Sequence, residues 1–322
     1  MSTDTHIVLR RAAQSRAFML FGLIVAITVA MSLASPHFLS MANLRAMAAG
    51  LVPTAIIAVG MTFLLVSGGF DLSVGSVLAL ASTVCAYLLT LGLGIPEAVV
   101  AALVLGALAG AVNGLLVTRL DINPLIATLG TMSVARGIAL TMTEGFSLSS
   151  LPKTFGLAGS SSLLGLPVIV WIMLAVVAAG DVALRRMTYF RQIYFVGSNE
   201  QAARLSGIDV NRVRMVAYTL SGMLAALAGV LLASRLMSGT PTAGSGLELQ
   251  VLAAAVIGGA SLKGGEGTVL GAFLGAVFVA LVSNAMTMLA VSIYWQMIVT
   301  GAILVAAVGI DTLRARRRMR RL

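Results

Sequence analysis

Residues 185–214, RRMTYFRQIYFVGSNEQAARLSGIDVNRVR, form the longest run in the chain that cannot sit in lipid, and they separate two apolar halves. The run carries six arginines: Arg185, Arg186, Arg191, Arg204, Arg212 and Arg214. Within it, residues 199–205 read as a short helix. Asn199 offers the side-chain oxygen of an N-cap, Glu200 places an anion in the first turn where the helix dipole favours one, and Gly207 suits the left-handed residue that stops a helix. A short amphipathic helix on a basic loop is either a docking surface for a soluble partner or a connector held at the membrane surface by its arginines. Spacing alone leaves both readings open.

Composition decides the broad class. Of 322 residues, 59% are hydrophobic and 10% charged, and the mean hydropathy is +1.03. Soluble domains carry roughly 25% charged residues, so most of this surface faces lipid. Thirty-four glycines fit closely packed membrane helices, where small residues let backbones approach. The single cysteine, Cys85, lies in an apolar run and excludes a disulfide framework or a cysteine metal cluster.

A spanning helix needs roughly 20 apolar residues, and the chain offers about ten: 17–35, 46–66, 72–91, 96–118, 122–143, 166–184, 215–234, 247–262, 268–290 and 293–311. The expected fold is an all-α polytopic membrane protein. It divides into an N-terminal segment (1–16), helices one to six (17–184), a central loop (185–214), helices seven to ten (215–311) and a basic tail (312–322). An even count puts both termini on one side. With that side cytoplasmic, every basic residue except Arg45, Arg136, Lys153 and Arg235 falls inside, as the positive-inside rule requires. The net charge of +10 is therefore topological, and no nucleic-acid partner is needed to explain it. Residues 18–34 are longer than a signal-peptide core of about 7–15 residues and read as a retained first span. The Ser- and Gly-rich loop 144–164 falls outside and is expected to pack against the outer mouth.

Helices two to five start from outside and helices seven to ten from inside, a count that permits an inverted repeat with a site near the midplane. Helix two runs into Ser67-Gly68-Gly69-Phe70-Asp71, and helix seven into Ser238-Gly239 and then Gly246-Leu247-Glu248. Each half thus has Ser-Gly after one helix and an acid opening the next.

Polar residues at membrane depth are costly in lipid and face protein or a water-filled path. Asp71, with Ser73 behind it, is either a cap of helix three or part of a gate. Arg136 lies about 20 Å along helix five at 1.5 Å per residue. It either snorkels outward, pairs with an acid such as Glu144, or lines a pathway. Asn113, Thr128, Ser133, Glu248, Gln250 and Asn284 are further pathway candidates, against the plainer reading that Ser and Thr in spans bond their own helix backbone.

Chemistry is hard to find. No G-x-x-x-x-G-K-[ST] occurs, and Lys263-Gly264-Gly265-Glu266-Gly267 is a Gly-rich turn without the phosphate-binding order. His6 and His37 have no metal-ligand spacing. No nucleophile–base pair can be assembled, so the chain reads as a non-enzyme that binds no cofactor or metal of its own.

Four stretches, GMTFLLVSGGFDLSVGSVLAL (60–80), PLIATLGTMSVARGIAL (124–140), VGSNEQAARLSGIDVNRVR (196–214) and TPTAGSGLELQVLAAAVIGGASLKGGEGTVLGA (240–272), resemble the permease subunits of bacterial ABC sugar importers, most nearly the ribose/xylose/arabinose type. The resemblance runs from about residue 35 to 311. It implies a type II importer fold of about ten helices per subunit. It also implies a coupling helix in SNEQAARLSGI (198–208), whose Asn199, Glu200, Ala202, Ala203 and Gly207 seat in a groove of an ATPase. The wider permease pattern E-A-A-x-x-x-G is matched here by Gln201-Ala202-Ala203 and Gly207, with Glu200 one position early, so the acid's role does not transfer. The implied partners are an ATPase, usually two fused cassettes that use ATP and magnesium, a periplasmic sugar-binding protein, and a second permease subunit, expected to be a homodimer mate. The expected function is import of a monosaccharide, a pentose such as ribose, across the bacterial inner membrane. The alternatives are a related importer for a branched-chain amino acid, a nucleoside or a furanone-type signal, and an ion-driven secondary transporter.

Overall fold

The computed structural model describes residues 16–319; the N-terminal segment through residue 15, with Arg10 and Arg11, and the last three residues lie outside them. Ten apolar helices form the body. Six are long and apolar enough to cross a membrane: α2 (Met41–Val66), α4 (Ile95–Thr118), α5 (Pro124–Thr143), α7 (Val168–Arg186), α10 (Val210–Leu236) and α12 (Val269–Met288). Four have shorter apolar stretches: α1 (Arg16–Ala34), α3 (Val74–Thr90), α11 (Leu247–Ile257) and α13 (Ile293–Met319). Short helices α6 (Leu157–Ser160), α8 (Thr188–Ser198) and α9 (Glu200–Leu205) and a two-residue hairpin, β1 (Ser162–Leu163) with β2 (Leu166–Pro167), complete the fold.

α2 is the axis. Every residue from Leu51 to Val66 is buried, because α7, α10, α11 and α12 all pack around it. The most extensive helix contact, α4 on α10, is built from small residues. Gly106, Gly110 and Gly114 of α4 lie against Gly222, Tyr218 and Met215 of α10 so closely that a Cβ on any of them would overlap the facing helix. This is the small-residue packing that replaces hydrophobic collapse in lipid.

The helix contacts have two-fold order. Taking α2–α5 as one set and α10–α13 as the other, α10 packs on α3 and α4 as α2 packs on α11 and α12. Likewise α3–α4, α3–α5 and α4–α5 have counterparts in α11–α12, α11–α13 and α12–α13. Each set is interrupted at the same place, after its first helix.

The two ends of the bundle carry different segments. Arg119, Asp209, Asn211 and Arg212 gather in one cleft, and the turn around Gly265 meets Val66 and Gly197, so both lie at the end carrying residues 185–214. At the opposite end Arg45 donates to Gly165 O at 2.6 Å. There the loop 144–165 packs on the C-terminal end of α10, with Leu148 and Gly239 exchanging both backbone bonds at 2.9 Å and Ser234 Oγ donating to Phe155 O at 2.6 Å. Cys85 is buried in a satellite cluster with Ala81, Ala102 and Ala233.

Two expectations change. Residues 185–214 are far more helical than a loop: α7 runs through Arg186, α8 fills 188–198, and α10 already begins at Val210. The span drawn at 247–262 is only the eleven-residue α11, followed by a glycine turn.

Candidate functional site: two helix breaks and a surface helix

The first break, residues 67–73, follows α2. Gly69 N donates to Leu64 O at 2.8 Å, with Gly68 at φ +84°. This closes the helix in the six-to-one bond of a Schellman turn, where glycine avoids the Cβ cost of the left-handed region. The sequence offers Asp71 as either a cap of the next helix or part of a gate; the N-cap position itself is Ser73. Asp71 instead holds the turn before it, its Oδ1 accepting from Ser73 N at 2.8 Å and Ser73 Oγ at 2.6 Å. Asn113 Nδ2 donates to Ser73 Oγ at 2.9 Å and to Asp71 Oδ1 at 3.3 Å, and Thr131 Oγ1 donates to Asn113 Oδ1. Asp71, Ser73 and Asn113 are thus brought together, fully buried. Asp71 Oδ2 has no partner among the described residues. The carbonyls freed by the break are also covered, with Arg214 Nε donating to Ser67 O at 3.3 Å and Tyr218 Oη to Phe70 O at 3.1 Å.

The second break, residues 237–246, follows α10, where Met237 turns left-handed at φ +50°. Arg136 spans it, donating to Pro241 O at 2.6 Å and Ala243 O at 2.8 Å. Its sequence offered snorkelling, an acid partner or a pathway position; its direct partners are backbone carbonyls. Irregular backbone at membrane depth requires such donors. The heads of the two following helices then meet. A Cβ added to Gly75 of α3 would fall on Gly244 O and within 2.5 Å of a Glu248 carboxylate oxygen, so Glu248 stands at the crossing of the two breaks.

Replacing Arg136 by leucine strands two carbonyls, at about 1–3 kcal/mol for each that stays dry. The expected result is a lower melting temperature in detergent with partial recovery in Arg136→Lys; an unchanged melt would show that water covers both carbonyls.

Other candidates fall elsewhere. Asn284 forms a reciprocal pair with Asn43 at 2.8 and 3.0 Å. It lines a cleft of about 210 Å³ with Met47, Thr54, Gln250 and Ser283, near the end opposite the arginines. Thr128 and Ser133 donate to Pro124 O and Leu129 O of their own helix, Thr128 buried and Ser133 on the exposed face of α5.

The surface helix α9 is capped at both ends. Asn199 Oδ1 accepts from Ala202 N at 3.0 Å. Ile208 N donates to Ala203 O at 3.0 Å across Gly207, whose φ is +80°. Glu200 accepts from Arg204 at 2.8 Å and from Arg214 at 2.9 Å. The Arg204 hydrogen bond first, and Arg214 after it, hold the Glu200 carboxyl below the usual carboxylate range. Ala203 turns inward and is buried, whereas Ala202 is exposed and lines an apolar groove with Phe195, Ser198, Ser206 and Ile208. Leu205 projects from the helix at 90% exposure. Sequence reading passed over Leu205, Thr131, Arg214 and Tyr218 as site residues. The signal for the last two was their spacing of four, one helical turn, across the end of the loop.

The geometry is that of a helical membrane protein with two facing breaks and a short surface helix at its basic end. Residues 43–308 match a family of permeases, "Branched-chain amino acid transport system / permease component". The chain belongs to this permease family. Its similarity to individual permeases covers about nine-tenths of each chain. It is 39% identical over 302 residues to the ribose import permease of Haemophilus influenzae, covering 92% of this chain and 93% of that one. It is 41% identical over 296 residues to the ribose import permease of Escherichia coli strain K12, with 91% and 92% covered. The L-arabinose transport system permease of the same strain is 37% identical over 294 residues, covering 90% of both chains.

Proposed function

We propose that this permease is the membrane-spanning subunit of an ATP-binding cassette importer that carries a monosaccharide, a pentose such as ribose, from periplasm to cytoplasm. The observation that carries this reading is the likeness, over nine-tenths of the chain, to permeases named for ribose and L-arabinose. A separate ATPase, with two fused cassettes, supplies the energy and holds the ATP and magnesium; this chain binds neither. α9 docks in the cassette groove through Ala202, Leu205 and Gly207, while Asn199, Glu200 and Ala203 set its shape from within. A periplasmic binding protein delivers sugar at the end carrying loop 144–165. A second copy of the chain completes the pathway, with both termini cytoplasmic and the bundle in the inner membrane. Asp71, Ser73, Asn113, Arg136, Glu248 and Asn284 are the residues on which the moving parts and the path depend. Thr128 and Ser133 contribute through their own helix.

A second reading is import of a branched-chain amino acid, favoured by the description under which the family is known. Uptake of labelled ribose and labelled leucine by cells expressing the complete importer separates the two. Docking is tested by copurifying a cassette protein with the tagged chain, wild type against Gly207→Arg. No atom lies within 4 Å of a Cβ at Gly207, so the arginine disturbs its own chain only by left-handed strain of about 1–2 kcal/mol. Its main effect falls on whatever receives the helix. Loss of the cassette in the variant alone supports the importer; a wild-type chain that transports with no cassette overturns it in favour of an ion-driven transporter.

A further inference from the structure

An unbroken chain of contacts runs from α9 to the first break, and Arg214 is its middle. Its Nη1 meets the Glu200 carboxylate at 2.9 Å, on the surface helix. Its Nε donates to the carbonyl of Ser67, at the end of α2, at 3.3 Å. One turn further along α10, Tyr218 holds the carbonyl of Phe70. Ser67 and Phe70 bracket Gly68-Gly69, and the next residue is Asp71. Arg204 also binds Glu200, but its other side-chain hydrogen bond among the described residues goes to Asn211, which lies outside the break. The two arginines therefore share one carboxylate and differ in what lies behind them. A planar guanidinium spreads its donors over a rigid fork that can meet acceptors from two segments at once, whereas an ammonium gathers three rotatable donors on one nitrogen. The Arg214 side chain is 21% exposed against 50% for Arg204, so its ion pair is the less screened of the two.

We propose that Arg214 is the positioning residue that ties α9 to the first helix break, so that displacement of α9 by a bound ATPase moves residues 67–73 and the Asp71 carboxyl with them. This rests on the reading of α9 as the docking helix. The competing route is α8, whose Gly197 lies directly against the carbonyl of Val66; it bypasses Arg214 and makes the opposite prediction for the variants.

The test compares Arg214→Gln with Arg204→Gln, each removing one cation from Glu200. In the permease alone, Arg214→Gln is expected to raise amide hydrogen exchange across residues 67–73 by about tenfold, and Arg204→Gln to leave it unchanged. Equal exchange in both variants and wild type overturns the tie, whatever the partners are. In the reconstituted importer with its cassette and binding protein, Arg214→Gln is expected to keep ATP hydrolysis while substrate moved per ATP falls about tenfold, within the usual range of coupling effects. A wild-type transport-to-ATP ratio in that variant overturns Arg214 as the conduit and leaves α8. Should Arg214→Gln not accumulate, Arg214→Lys, which keeps the charge but not the double contact, gives the same split at smaller size. If no cassette binds wild type, the docking reading fails and transmission fails with it, whereas the exchange result still reports whether Arg214 holds the break.

Discussion

Leucine at Gly110 is expected to leave no folded permease to purify. A Cβ there falls on the Tyr218 carbonyl and lies 3.0 Å from the Thr219 Cα, both backbone atoms that no side-chain rearrangement can withdraw. Overpacking a core with side-chain neighbours costs typically about 1–3 kcal/mol; here α4 and α10 would have to part along their whole contact, so the loss should exceed that range. Gly106 and Gly222 interlock one turn away, and they would lose contact too. The measurement is the yield and melting temperature of monodisperse protein after detergent extraction, with Gly130→Leu as control, since nothing lies within 4 Å of a Cβ at Gly130. A Gly110→Leu protein that elutes and melts like the control would mean that α4 and α10 do not meet here.

The second large effect is expected at Leu205. A leucine 90% exposed on a polar, basic surface adds little to its own fold, and Phe195, 58% exposed, lines an apolar groove with Ala202 and Ser206 of the same segment. An apolar anchor buried at a protein interface is worth about 2 kcal/mol or more, roughly a thirtyfold loss of affinity on truncation. Leu205→Asp adds a charge that must be desolvated, so its cassette affinity should drop by at least this much, while the melting temperature of the permease alone stays at the wild-type value. Leu205→Met should bind normally. Wild-type affinity in Leu205→Asp would remove α9 from the cassette interface.

The helices were legible because lipid imposes length and apolarity together, and arginines sort to one end. The breaks were legible only as Ser-Gly followed by an acid. What holds them open was not. Arg136 donates to carbonyls 105 and 107 residues away, and a carbonyl carries no side-chain identity for a sequence to display. The same blindness hid Arg214 and Tyr218, whose partners are Ser67 O and Phe70 O. α8 was a different kind of miss. Phe190, Ile193, Tyr194 and Gly197 fall at helical spacing, with Ile193 buried. Flanking arginines made the stretch look like loop, although an amphipathic helix lying along a basic surface carries that same composition. Ser133 shows the opposite limit: a hydroxyl in a span suggests a pathway, yet its hydrogen bond goes to its own helix.

Cys85 is the chain's single thiol, and it is sealed at 0% exposure among alanine and leucine neighbours. Water-soluble maleimides therefore find nothing to alkylate while the bundle is intact. A cysteine introduced on α9 or beside the first break can carry a spin label or fluorophore against a silent natural background, and late labelling of Cys85 itself marks the moment the bundle comes apart.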